Sequence, residues 1–279
     1  MKVAIIGVGL IGGSMAIALK QKNIASHIIG VDENLQHQQK ALQLNLVDEI
    51  ADLENALSKA DIIIIAVPVN TAETMIKTIL DKVDKQIVID VGSTKYPICI
   101  AASKSKNRKR FVATHPMWGT EFSGPEAAVK DAFENKAVVI CNKEESDIDA
   151  VITVENMYRS LGMHLLYMDA SAHDLHAAYI SHISHITSFA LANTVLEKER
   201  EENAIFELAS GGFESTVRLA KSNPAMWVPI FKQNRENVLD VLNEHITQLR
   251  KFKSCLEKEN YDYLLELIEN ANKIKRILK

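Results

Sequence analysis

A doubly wound, mainly parallel α/β sheet followed by an all-α C-terminal domain is the fold class this sequence predicts, and three features predict it. The first is a series of short Ile- and Val-rich runs in the N-terminal half, with little polar alternation, as strands buried on both faces require. The second is that helical stretches fill the gaps between those runs. The third is a change of texture after about Asp169: no convincing strand remains, and apolar residues recur at spacings of three and four.

The strands expected are Lys2–Ile6, His27–Val31, Asp61–Val67, Gln86–Asp90, Arg110–Thr114, Lys136–Cys141 and His164–Met168, with helices at Ile11–Lys20, Leu35–Leu44, Thr71–Leu80 and Asp147–Leu161. In the second half Val238, Leu242, Ile246 and Leu249 form one apolar stripe, and Asn223-Pro224 breaks the chain before the last helical region. The expected division is 1–168 for the sheet domain and 169–279 for the helical domain. The basic stretch Asn272–Lys279 reads as a solvated helix end.

Composition excludes several function classes. Of 279 residues, 47% are hydrophobic and 24% charged, the balance of a globular protein with a sizeable core. A net charge of -4 gives no basic footprint for nucleic acid. Cys99, Cys141 and Cys255 are odd in number and far apart, which fits neither a disulfide framework nor a zinc site, and no metal is expected. Glycines interrupt the first apolar run too early for a signal peptide, and no apolar run reaches about 18 residues. A soluble cytoplasmic protein is expected.

The run from Lys2 to Ser14 is a strand leading into G-x-G-x-x-G and then a helix. Gly7 suits the tight turn, Gly9 lets a pyrophosphate approach the backbone, and Gly12 allows helix and strand to pack closely. The helix N-terminus offers free N–H groups to phosphate oxygens. Asp32 follows 20 residues after Gly12, at the end of the second strand. Together these make a Rossmann fingerprint. A carboxylate at Asp32 favours the ribose hydroxyls of NAD and repels the extra phosphate of NADP. Leu10 and Ile11 in the turn, with Val67 and Pro68 at the end of a later strand, complete the cofactor candidates.

Two further segments at carboxyl ends of strands are unusually polar, the edge where such sheets bind ligands. They are Asp90-Val91-Gly92-Ser93-Thr94-Lys95 and Thr114-His115-Pro116-Met117-Trp118-Gly119-Thr120-Glu121. Beyond them come Ser181-His182-Ile183-Ser184-His185 on one helix, then Gly211-Gly212-Phe213, Arg218, and Asn223-Pro224-Ala225-Met226-Trp227. This series, in this order, resembles the prephenate/arogenate dehydrogenase family of tyrosine biosynthesis over nearly the full chain.

The resemblance implies an NAD-dependent enzyme that oxidises and decarboxylates a dicarboxylate hydroxycyclohexadiene, prephenate or arogenate. His115 is then the base that takes the 4-hydroxyl proton, a role worth about 10²–10⁴-fold in rate. Ser93 is expected to hydrogen-bond between the base and the nicotinamide or substrate. Arg218 is the expected clamp on the ring carboxylate, and His185 helps bind the carboxylates. Thr120 and Gly211 are placed against substrate, and Trp227 either lines the pocket or belongs to the core. His173 and His182 either orient neighbours or touch ligand. Trp118 stands where the family commonly has Ala or Phe, and the effect of that large indole on the pocket stays open.

Prephenate with NAD is favoured, and nothing in the residues excludes arogenate. A 3-hydroxyacid dehydrogenase of the 6-phosphogluconate type shares the fingerprint and a helical second half, but Ser171–Arg200 offers no lysine before Lys198. A nucleotide-sensing protein that lost its chemistry is the rival from another class. The sequence does not run on into a regulatory or chorismate mutase domain, so tyrosine control is expected at the active site or not at all. Finally, Ile180, Ile183, Ile186, Phe189 and Leu191 give one helix apolar residues on several sides. With the stripe in Val238–Leu256 and the family resemblance, they predict a homodimer through the helical half.

Overall fold

The apolar runs of the N-terminal half form one eight-stranded sheet. Its strands are β1 (Lys2–Ile6), β2 (His27–Val31), β3 (Glu49–Ile50), β4 (Ile62–Ile65), β5 (Ile87–Asp90), β6 (Phe111–Pro116), β7 (Ala137–Cys141) and β8 (His164–Met168). The computed structural model describes residues 1–199 and 205–277. Arg200, and Leu278 and Lys279 of the basic stretch, lie outside the described residues. The strand order is β3-β2-β1-β4-β5-β6-β7-β8. Neighbours are parallel except β6 and β7, which pair antiparallel with His115 opposite Val139.

Side chains along β1 alternate between two apolar clusters, which is why the strands show no polar face. Val3 and Ile5 pack with Met15 and Leu19 of helix α1 (Leu10–Gln21) on one face. Ala4 and Ile6 pack on the other with Ile76 and Ile79 from a later helix. The helices of this half are α2 (Leu35–Gln43), α3 (Leu53–Lys59), α4 (Val69–Lys82), α5 (Tyr96–Ala102) and α6 (Ile148–Ser160).

By packing, the described residues form two compact units, Met1–Asn234 and Arg235–Lys279. The first therefore includes helices on the far side of the expected boundary at 168/169: α7 (Ala170–Ala177), a π-helical turn at Ala178–His182, α8 (Ile183–Glu199), α9 (Gly211–Val217) and α10 (Pro224–Gln233). Asp169 caps α7, accepting from Ala172 N at 2.8 Å, and Asn223 caps α10, accepting from Ala225 N at 2.9 Å. Val69 of α4 packs with Trp227 and Ile230 of α10. Thr94 Oγ1 donates to Gln233 at 2.5 Å, and Gln233 Nε2 donates to Glu73 at 2.8 Å. The second unit is the helix pair α11 (Arg235–Glu257) and α12 (Tyr261–Asn272). No described helix is long and apolar enough to cross a membrane.

Candidate active site

The glycine turn between β1 and α1 is built for close approach. Gly7 has φ +92°, and a Cβ there would lie 2.4 Å from the Ala66 carbonyl oxygen. A Cβ on Gly12 would lie 1.9 Å from the Gly7 carbonyl oxygen, whereas one on Gly9 would meet nothing within 4 Å. Gly9 is the N-cap residue of α1 and no side chain caps that end, which leaves its N–H groups available to an anion. Leu10 begins α1, and Ile11 packs on the core beneath the turn. Val67 lies beside Gly7, and Pro68 is the N-cap residue of α4.

Asp32, just past β2, is fixed by two backbone donors. Its Oδ2 accepts from Val8 N at 3.0 Å and its Oδ1 from Asn34 N at 2.9 Å. The turn and Asp32 thus offer an open cradle, a helix N-terminus and a fixed carboxylate, which fit a dinucleotide.

His115 lies within β6 rather than in a loop after Thr114. The antiparallel partner β7 extends the strand through Pro116, which the polar His-Pro end conceals in the sequence. Its Nδ1 is 2.8 Å from His173 Nε2, and His173 Nδ1 is 2.8 Å from Asp174 Oδ1. Asp174 also accepts from the backbone of Lys95 at 2.7 Å and Tyr96 at 2.9 Å, which ties α7 to the start of α5. Burial, then the bases His173, Lys95 and His182, hold His115 well below the ordinary histidine range. The ring is neutral at pH 7.

Under this edge Lys95 and Asp90 form a fully buried ion pair, and Lys95 Nζ also donates to the Thr114 carbonyl at 2.8 Å. Burial pushes the Asp90 carboxyl up, against the pull of Lys95. Ser93 is half-buried and lies between the two in sequence, two residues before Lys95. His115 Nδ1 is held by His173 rather than by Ser93.

The helical side contributes an aromatic cluster. His185 stacks on Trp227 with ring centroids 3.5 Å apart, and its Nδ1 contacts the Ser181 carbonyl at 3.0 Å. Trp227 is buried among Val69, Ile230, Phe189 and Phe231. His182, in the π turn, takes Asn234 Nδ2 on its Nδ1 at 3.1 Å, and Asn234 also donates to the Asp174 carbonyl at 2.7 Å. Burial pushes His182 down to about 4. Among the described residues, His182 Nε2 and Trp227 Nε1 are buried without a hydrogen-bond partner.

Arg218 extends to Glu121 with Nη1–Oε2 at 3.0 Å, half exposed, so the guanidinium already faces the β6–β7 loop. Thr120 Oγ1 accepts from Phe122 N at 3.3 Å in the same loop. Gly211 opens α9, exposed and uncrowded. Trp118 packs edge-to-face on Phe133, centroids 5.6 Å apart, partly buried against the sheet core. Among the described residues no group of three or more His, Cys, Asp or Glu is placed to hold a metal.

Asp174 was not singled out by the sequence, and Lys95, Asp90 and Glu121 appeared only as letters of motifs. The adjacent pair His173-Asp174, just inside a helix capped by Asp169, was the one available signal.

A dinucleotide cradle and a histidine held at the carboxyl edge of the same sheet define the class, a dinucleotide-dependent oxidoreductase. Sequence profiles narrow this. That of the prephenate dehydrogenase nucleotide-binding domain matches residues 15–167, and that of the prephenate dehydrogenase dimerization domain matches residues 169–270. The chain belongs to the prephenate dehydrogenase family. It is 32% identical to the prephenate dehydrogenase of Bacillus subtilis over 95% of this chain and 72% of that protein. It is 28% identical to the cyclohexadienyl dehydrogenase of Zymomonas mobilis, over 99% of this chain and 96% of that one. The Aquifex aeolicus prephenate dehydrogenase, solved with hydroxyphenyl propionate and NAD+, superposes with a TM-score of 0.88 at 30% identity, covering 99% of this chain and 97% of that chain.

Proposed function

We propose that the chain is an NAD-dependent prephenate dehydrogenase of tyrosine biosynthesis, acting as a cytoplasmic homodimer. The observation that carries this is His115: a neutral imidazole, aligned by a second histidine, at the ligand-binding edge of a dinucleotide sheet. NAD would be held by Gly7, Gly9, Leu10, Ile11, Gly12, Asp32, Val67 and Pro68. Bound there, it supplies one thing, an acceptor for the hydride leaving C4.

His115 takes the proton of the 4-hydroxyl as the C4–H electron pair departs. Loss of the ring carboxylate as CO2 then returns an electron pair through the ring to the C4 oxygen. That oxygen takes a proton back from His115 and becomes the phenol of 4-hydroxyphenylpyruvate. Ser93 hydrogen-bonds at the reacting oxygen, and Arg218 clamps the ring carboxylate as a planar, permanently charged fork. His185, held flat by Trp227, and Thr120 contact the substrate, and Gly211 lets it approach bare backbone. Residues 169–279 would serve substrate binding and dimerisation. Leu249 and Leu256 of α11 and Tyr261 and Leu265 of α12 are exposed apolar side chains that a second copy would cover.

The test is absorbance at 340 nm with prephenate or arogenate and NAD or NADP, in all four combinations. Turnover with prephenate and NAD is expected to be fastest. No turnover with either substrate overturns the reading, and faster turnover with arogenate reassigns the substrate.

A further inference from the structure

The orientation of the His115 ring follows from which atoms can only accept. An ionised carboxylate has lone pairs and no proton to give. Backbone N–H groups of Lys95 and Tyr96 point at the two oxygens of Asp174, the environment of an ionised carboxylate. The remaining contact, His173 Nδ1 at 2.8 Å, is therefore an N–H donating to Asp174. With its Nδ1 hydrogen given to Asp174, His173 accepts at Nε2, so His115 Nδ1, 2.8 Å away, carries the hydrogen between them. His115 is left with Nε2 as its lone pair. One carboxylate sets both tautomers through two hydrogen bonds.

We propose that His173 and Asp174 are positioning residues for His115, fixing the tautomer in which Nε2 takes the substrate proton and compensating the charge that arrives with it. This rests on the reading of His115 as the base. The groups that face His115 are His173 and His182 from the helical side and Lys95 from the start of α5, and each disfavours a positive charge on it. Asp90 is already paired with Lys95. Asp174, reached through His173, is the carboxylate left to oppose the charge. When the hydroxyl O–H bond breaks, the proton bonds to His115 Nε2, and the Nδ1–H donated to His173 strengthens against the His173–Asp174 pair. The proton returns to the phenol oxygen by the same bond, so the relay ends as it began.

The arrangement also accounts for the side chain of Asn234. Its Nδ2 donates to the Asp174 carbonyl and to His182 Nδ1, so it holds the backbone of the relay residue and the neighbouring imidazole together. A small shift of α7 relative to β6 would break the contact to His115, and Asn234 and the backbone N–H groups of Lys95 and Tyr96 oppose that shift.

Two-bond proton–nitrogen correlation spectra of the full chain, labelled with 15N-histidine and recorded at pH 8 without substrate, report each ring's tautomer. His115 and His173 are both expected as Nδ1–H. In His173→Leu, His115 loses its acceptor, and a shift toward Nε2–H is expected. The variant's kcat should fall roughly a hundredfold, with the Kd for NAD within about twofold. His173→Gln can accept from His115 and donate to Asp174, and should restore the tautomer and much of kcat. An Nε2–H signal for His115 in the wild type overturns the proposal, whether or not His173→Leu folds. So does a folded His173→Leu with unchanged tautomer and kcat. Failure of the base assignment looks different: His115→Asn stays active while the wild-type tautomers are as expected.

Discussion

Lys95 lies under the edge that carries His115, with its ammonium on Asp90, and neither side chain reaches solvent. Removing one member of a buried pair strands the other as an uncompensated charge. Lys95→Met should therefore cost about 3–5 kcal/mol of stability at pH 7, read by urea unfolding. Lys95→Met with Asp90→Leu should cost less than Lys95→Met alone. A single variant within about 1 kcal/mol of wild type would show that the pair contributes little.

As the proposed base, His115 should behave as a group used only in the transition state. His115→Asn is expected to lower kcat by two or more orders of magnitude and leave the Kd for NAD nearly unchanged. A variant keeping more than about a third of wild-type kcat rules out the role.

Acid should act on both rate and stability. Because burial holds His115 well below 6.5, the acid limb of kcat/KM should fall below pH 6.5. His182 is pushed down to about 4 in the folded chain from an ordinary 6.5, so the unfolded chain binds more protons between those values. Its contribution is thus intact above pH 6.5 and lost progressively as pH falls toward 4. Unfolding midpoints measured from pH 8 to 4 check this, with a His182→Asn control that should flatten part of the decline.

Arg218→Ala should mainly raise KM for prephenate, roughly tenfold or more for a lost charge-assisted contact. The half-exposed ion pair with Glu121 is worth little to the fold, so the unfolding midpoint should hardly move. An unchanged KM would leave Arg218 as a partner of Glu121 alone.

Asp32→Ser should weaken NAD and relieve repulsion against NADP. Titration of both dinucleotides by fluorescence reads the change. A wild-type chain that already prefers NADP contradicts the assignment.

The strands were legible because both faces of the sheet are covered, so Ile62–Ile65 shows four consecutive isoleucines. What escaped was short: Glu49–Ile50 is two residues, and Leu53–Lys59 and Tyr96–Ala102 have too few turns to display a period. The dinucleotide turn is a local motif, and its glycines stand out in one reading of the chain. The alignment of His115 is not local. Its partner is 58 residues away, and nothing near His115 announces His173. Phe133, the ring on which Trp118 packs, is likewise brought to it only by the fold.

The reversal of direction between β6 and β7 has a consequence for how the site is covered. A parallel successor to β6 would oblige the chain to leave His115 and run back along one face of the sheet before starting the next strand. Running antiparallel, β7 begins where β6 ends, with Met117 N donating to the Ala137 carbonyl at 2.8 Å. Residues 117–136 can therefore stay at the edge that carries His115. They reach Arg218 through Glu121 and the first helix through Val129 N, which donates to Ser14 Oγ at 2.9 Å. One excursion of the backbone thus touches both the helix that would carry the phosphates and the arginine that would carry the carboxylate.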